Sequence, residues 1–269
     1  MCRWLMYHGK SIIMSELLVD PENSLIHQSI ASHEGVVNVN GDGFGLGWYT
    51  KLNKKPGVYK DPLPAWNNKN LASIASHIKS KNFLAHVRAS TGTPSTTTNC
   101  HPFRYKNHLF MHNGAIFNFN EIRHDLEYLI DKKYFKHRYG CTDTEAMFLL
   151  ALTNGLIEDP KTAINKTVEQ IFKIQQQNNV PQAIKASIAY TDGNTSYAIK
   201  TSTINHQPSL YYVNYEDMLD SLGMERQGQK YKNSYVVLSE PLLKSESYKY
   251  VDNHTIIKIS ENEFTIEKL

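Results

Sequence analysis

Long apolar runs are missing from this sequence. Nowhere do about 18 or more apolar residues follow one another, which excludes a membrane-spanning helix. The apolar stretch Trp4 to Tyr7 stops at His8, Gly9 and Lys10, far short of a signal-peptide core. Cysteine is scarce: Cys2, Cys100 and Cys141 are the only three. So odd and scattered a set suits a reducing compartment better than a disulfide framework, and the cytoplasm is the expected address. Neither C-x-x-C nor H-E-x-x-H occurs despite 12 histidines, so no zinc or iron site is expected. No sign of charge dominates either. The 29 Lys+Arg stand against 26 Asp+Glu, a net charge of +3, which argues against a nucleic-acid-binding surface. Internal repeats, low-complexity tracts and long flexible linkers are absent, and 269 residues suffice for a sizeable core. One domain over residues 1–269 is expected.

What is present alternates between two kinds of pattern. Short β-like runs occur at Phe44 to Tyr49, Phe83 to Val87 and Leu109 to Met111. Helical spacing of apolar residues marks Asn70 to Ile78, Asn118 to Ile130, Thr142 to Leu152 and Lys161 to Gln176. The third of these opens with Thr142 and has Glu145 three residues on, a capping-box pattern. Beyond Pro181, strand-like runs return at 187–190, 195–199, 210–213, 235–238, 255–259 and 264–266. The first two flank a hairpin turn at Asp192-Gly193-Asn194. Segments 205–208 and 227–232 read as loops. Strands and helices in blocks, without strict βαβ alternation, predict a layered α+β fold with mostly antiparallel sheets.

Several short segments carry chemistry. Removal of Met1 before the small Cys2 would place a thiol and a free α-amine on one residue. With a reference pKa of about 7.7–8.0, that amine can act as base for its own thiol. The plainer use of Cys2 is a buried small hydrophobe at the start of an edge strand. His112-Asn113-Gly114 reads as a hairpin turn. It equally offers an Asn amide and a backbone N–H to a developing oxyanion. Arg88, in Ala85-His86-Val87-Arg88-Ala89-Ser90-Thr91, can grip a carboxylate through paired N–H bonds or form a surface salt bridge. Asp143 can receive an ammonium or merely favour a helix N-terminus. Asn40-Gly41-Asp42-Gly43-Phe44-Gly45-Leu46-Gly47 fits neither nucleotide-loop fingerprint and reads as a positive-φ turn entering a glycine-rich strand. His101 and His112 are expected to orient neighbours by hydrogen bonds. Lys132-Lys133 and Lys51 with Lys54-Lys55 read as solvated loop faces, and Gly35 to Asp42 is a candidate lid.

Taken in order, Met1-Cys2-Arg3-Trp4, Asn40-Gly41-Asp42-Gly43, His86-Val87-Arg88-Ala89-Ser90-Thr91, Asn99-Cys100-His101-Pro102-Phe103, Phe110-Met111-His112-Asn113-Gly114 and Thr142-Asp143-Thr144-Glu145 resemble the class II glutamine amidotransferases. These are N-terminal-nucleophile hydrolases. Within them the chain is similar to a stand-alone branch that includes the ergothioneine-pathway γ-glutamyl amidohydrolase and the yeast glutathione-degradation amidotransferase subunit. Ser239-Glu240-Pro241-Leu242 extends the likeness. The resemblance implies a four-layer αββα sandwich of two mainly antiparallel sheets. It also implies Cys2 as nucleophile with its α-amine as base, and Asn113 with Gly114 as oxyanion hole. Arg88 and Asp143 would bind the α-carboxylate and α-ammonium of a glutamine-like group, with His101 and His112 on the substrate side. It implies no metal or organic cofactor, a small γ-glutamyl amide or glutamine as partner, and neither nucleic acid nor membrane. The expected reaction is hydrolysis of a γ-glutamyl amide through a Cys2 thioester. A glutaminase or amidotransferase subunit acting with a separate enzyme subunit, and a silent scaffold, are the alternatives.

Overall fold

The structure is a computed structural model that describes residues 2–34, 38–90, 92–224 and 229–269. Met1, Thr91, the Gly35 to Val37 part of the candidate lid and residues 227–228 of one expected loop lie outside the described residues. Thirteen strands occur among the described residues, in chain order. They are β1 (Arg3–Ile13), β2 (Phe44–Thr50), β3 (Asn53–Asp61), β4 (Lys79–Val87), β5 (Phe103–Tyr105), β6 (His108–Ile116) and β7 (Ile184–Thr191), then β8 (Thr195–Ser202), β9 (Tyr211–Asn214), β10 (Tyr235–Leu238), β11 (Lys249–Tyr250), β12 (Thr255–Ser260) and β13 (Phe264–Lys268). The helices are α1 (Ser15–Leu18), α2 (Leu25–Ile30), α3 (Lys69–His77), α4 (Phe119–Tyr128), α5 (Lys132–Phe135), α6 (Asp143–Thr153), α7 (Pro160–Gln177) and α8 (Tyr215–Asp220).

The strands form two antiparallel sheets, ordered β11-β9-β10-β1-β4-β2-β3 and β13-β12-β8-β7-β6-β5. Period-two alternation decides what fills the space between them. From β1, Trp4 and Met6 enter a core between the sheets with Leu84, Leu109, Met111, Ala189 and Ile257, while Leu5 and Tyr7 point the other way. Leu5 and Tyr7 join a second core with residues of α1, α2, α3 and α8. Phe110, Ile188 and Ile199 leave the second sheet's outer face to pack with residues of α4, α6 and α7. Three stacked cores make four layers, helix, sheet, sheet and helix. The expected αββα sandwich is thereby present.

The helix α6 shows why the layers hold. Every residue from Thr144 to Leu152 is buried, which a helix apolar all round requires. Thr142 caps it, its hydroxyl accepting from the Glu145 N–H at 3.2 Å. The reciprocal half of the capping box is not made. The Glu145 carboxylate instead accepts from the backbone of Tyr139 and Gly140 and pairs with Arg138 at 2.7 Å.

Three sequence expectations change. β1 is a central strand between β10 and β4, not an edge. His112-Asn113-Gly114 is no turn but the interior of β6, paired with Ile188, Ser187 and Ala186. Lys132 and Lys133 open the short α5, and Lys54 and Lys55 lie in β3, instead of lying in loops. The glycine turn stands as expected: Gly43 has φ +111° and leads into β2. Gly45 has no room for a side chain, because a Cβ there would lie 1.8 Å from the His101 carbonyl oxygen. This strand is glycine-rich so that the His101-Pro102 segment can cross it closely. We expect Gly45→Ala to lower stability by about 1–3 kcal/mol in chemical denaturation, since backbone must move to admit the methyl. An unchanged midpoint would contradict this packing.

Candidate active site

The site is assembled where β1 begins and β4 ends. The last pair between them is Arg3 opposite Val87, so Cys2 and Arg88 emerge side by side. The Cys2 Sγ accepts from the Ala89 N–H at 3.4 Å and lies 3.5 Å from its carbonyl oxygen. Burial pushes the thiol pKa up. The Ala89 N–H and the positive charges of Arg88 and Arg3 act against that rise without cancelling it. A base nearby is therefore needed for the thiol to react near neutrality.

Cys2 is fastened through its neighbour. The Arg3 guanidinium is fully buried, donates to the Cys2 carbonyl at 2.8 Å and pairs with Glu240 at 3.2 Å. The Glu240 carboxylate also accepts from the Asn23 side chain and from the backbone N–H groups of His33 and Glu34. One carboxylate thus ties together the first strand, the segment after α2 and the stretch following β10.

Arg88 is 3% exposed. It donates to the Asp42 carbonyl, the Ser90 hydroxyl and the Thr93 carbonyl and hydroxyl. The Asp42 carboxylate is occupied elsewhere, accepting from the Ser90 N–H at 2.7 Å. Among the described residues no carboxylate forms an ion pair with Arg88, so the salt-bridge use is not observed. Asp143 is the first residue of α6, with one oxygen accepting from Ile116 N–H at 2.9 Å and the other from Thr144 N–H at 2.8 Å. These two N–H groups hold the carboxylate in place at the helix N-terminus.

Three histidines are buried beside these groups. His86 and His101 have ring centroids 4.0 Å apart. His112 contacts the Thr144 hydroxyl at 2.9 Å and the Lys185 carbonyl at 3.2 Å. A carbonyl can only accept, so the His112 Nε2 carries the proton. Burial lowers all three pKa values, that of His86 to about 3. Asp143 opposes the shift only at His112. The rings are therefore neutral packing groups near neutral pH.

Cys2, Arg88, His101, His112, Gly114 and Asp143 share the wall of one cavity of about 260 Å³. Asn113 does not line it. Its side chain, fully buried, follows Leu109 and Met111 onto the face of β6 turned to the other sheet. Neither its amide nitrogen nor its amide oxygen has a hydrogen-bond partner. Gly114 admits no side chain, because a Cβ would lie 1.9 Å from the Lys185 carbonyl oxygen. Thr93, Phe117 and Lys185 also line the cavity and were not singled out by sequence reasoning. Only the helical and strand periods flanked them, and no motif pointed at them. Among the described residues no three His, Cys, Asp or Glu side chains converge as metal ligands, and no helix is long and apolar enough to cross a membrane.

Glu240→Gln would leave the Arg3 charge buried without its counter-ion. We expect a loss of about 3–5 kcal/mol in urea denaturation, whereas a loss below about 1 kcal/mol would show the pair to be dispensable. Acid should also destabilise the fold. With pKa values of about 3 for His86 and about 4 for His8, below the ordinary 6.5, the folded state binds fewer protons than the unfolded one. This stability is complete above pH 6.5 and lost as the pH falls toward 3. The thermal midpoint should drop over that window, and less steeply in His86→Gln; equal slopes would remove His86 from the account.

Comparison with known proteins identifies the family and the fold. The profile of the glutamine amidotransferases class-II family matches residues 13–266. The chain is 36% identical over 273 residues to the probable glutamine amidotransferase DUG3 of Saccharomyces cerevisiae, covering 90% of this chain and 76% of that protein. It is 32% identical over 120 residues to the gamma-glutamyl-hercynylcysteine sulfoxide hydrolase of Mycobacterium tuberculosis, 43% of this chain and half of the relative. Among solved structures, a glutamine aminotransferase class-II domain protein from Silicibacter pomeroyi superposes with a TM-score of 0.74 at 27% identity, covering 99% of both chains. The glutamine phosphoribosylpyrophosphate amidotransferase of Bacillus subtilis shares the fold, with a TM-score of 0.62 at 17% identity over 99% of this chain and 49% of that one. Two antiparallel sheets with flanking helices, and a profile match over most of the chain, place this protein in the class II glutamine amidotransferase family.

Proposed function

We infer that this protein hydrolyses a γ-glutamyl amide, with Cys2 as nucleophile. The observation that carries this reading is the shared cavity wall, on which a thiol, a buried guanidinium without a carboxylate partner and a fixed carboxylate meet. A γ-glutamyl group brings the matching charges. Its α-carboxylate would pair with Arg88 and its α-ammonium with Asp143, which leaves the δ-carbonyl for the thiol.

The chemistry then runs in two halves. A free α-amine on Cys2, exposed by removal of Met1, takes the thiol proton as the sulfur attacks the δ-carbonyl carbon. The carbonyl oxygen becomes an anion, for which the Gly114 N–H on the cavity wall is one donor and the buried, unpartnered amide of Asn113, just behind that wall on β6, is the second. The amine passes the proton to the leaving nitrogen, the C–N bond breaks and a γ-glutamyl thioester remains. Water then adds to the thioester and releases glutamate, restoring the thiol. The raised thiol pKa supports the need for a base. Burial keeps the histidines neutral, and the ring nitrogens of His86 and His112 are buried or bonded within the protein, which favours the amine for that role.

The names of two relatives support the two halves of the substrate class, one a probable glutamine amidotransferase and the other a gamma-glutamyl-hercynylcysteine sulfoxide hydrolase. The first name also favours a second reading, in which ammonia passes to a separate partner subunit.

Intact mass before and after treatment with an electrophilic glutamine mimic tests the proposal. The expected result is a chain lacking Met1 with one adduct on Cys2, and no adduct in Cys2→Ala. Retained Met1 with unlabelled Cys2 would refute the mechanism. Asn113→Ala should lower kcat by about 10²–10³, the effect of losing one oxyanion donor.

A further inference from the structure

The cavity wall carries one more cation than a γ-glutamyl group can use. Arg88 comes from the end of β4 in one sheet, and Lys185 from β7 in the other, opposite Ala115. One anionic side chain, Asp143, stands on the same wall. If Arg88 takes the substrate α-carboxylate and Asp143 its ammonium, Lys185 has no counterpart. Among the described residues its ammonium forms no ion pair and no hydrogen bond; it faces the Phe117 ring, with Nζ 5.9 Å from the centroid. Phe117 lines the cavity as well. Partial burial lowers the Lys185 pKa, and no neighbouring carboxylate opposes the shift. A half-buried cation on the wall that also carries Cys2, held without an anion, is suited to an anion that arrives with the substrate.

We propose that Lys185 binds a carboxylate on the leaving side of the scissile bond, so that the preferred substrates are γ-glutamyl amino acids or peptides ending close to that bond, over glutamine. The proposal rests on the γ-glutamyl reading above. Ammonia leaving from glutamine offers Lys185 nothing. An amino acid leaving group presents a carboxylate one carbon away from the scissile nitrogen, within reach of a flexible lysine stem. Arg88 and Lys185, supplied by different sheets, would then hold the two ends of one dianionic substrate across the cavity.

The test uses the whole chain and the labelling of Cys2 by an electrophilic glutamine mimic. γ-Glutamylglycine and γ-glutamylglycinamide are compared as protecting ligands. They differ in one terminal carboxylate. In the unaltered protein the acid should protect at least tenfold better than the amide. Lys185→Met should reduce that ratio to about one, and Lys185→Arg should retain most of it. Equal protection by acid and amide in the unaltered protein overturns the assignment of Lys185 while leaving the γ-glutamyl reading intact. So does an unchanged ratio in Lys185→Met. Cys2 that the mimic does not label at all overturns the γ-glutamyl reading, and this proposal with it.

Discussion

The buried pair between Arg3 and Glu240 is the constraint on which the site depends. Cys2 lies just before β1, outside its ladder pairs, so its remaining freedom must be removed by contacts. Here the contact is a guanidinium that donates to the Cys2 carbonyl, and it is itself held by a carboxylate 237 residues away in the sequence. Charges taken out of water need partners on every side to be tolerable. Glu240 meets that need with backbone N–H groups from His33 and Glu34 and the Asn23 amide. Fixing Cys2 and fixing the segment after α2 are therefore one event.

A second constraint is electrical neutrality around the histidines. His86, His101 and His112 sit among the positive charges of Arg88 and Lys185 and away from water. A protonated ring there would add to the cationic side of the wall and compete with it for a carboxylate. Burial keeps the rings uncharged, so Arg88 and Lys185 remain the cavity's cations. The glycines of β2 serve the same arrangement, since close passage of the His101 carbonyl over Gly45 brings that histidine against His86.

Membership of the class II glutamine amidotransferases supplies a frame but not the selectivity. The fold is shared with proteins at 17% identity, so its layers tolerate almost complete replacement of side chains. One relative is named a probable glutamine amidotransferase and another a gamma-glutamyl-hercynylcysteine sulfoxide hydrolase. Lys185 and Phe117 line the cavity without belonging to any recognisable pattern.

Local patterns alone determined a good deal about this protein. The apolar periods located α3, α6, α7 and most long strands. The Thr142 hydroxyl announced the start of α6, and the block order of elements announced a layered α+β fold. These are properties of neighbouring residues, so they are legible in one dimension. The ordered motifs carried Cys2, Arg88 and Asp143, which do converge. Only the tertiary structure decided that β1 is central and that His112-Asn113-Gly114 lies within a strand, because pairing with β7 outweighs the local preference of Asn-Gly for a turn. It alone placed Glu240 behind Arg3, left the Asn113 amide without a partner and set Lys185 on the cavity wall. Each of these depends on segments tens to hundreds of residues apart being pressed together by the burial of three apolar cores, which no local spacing records.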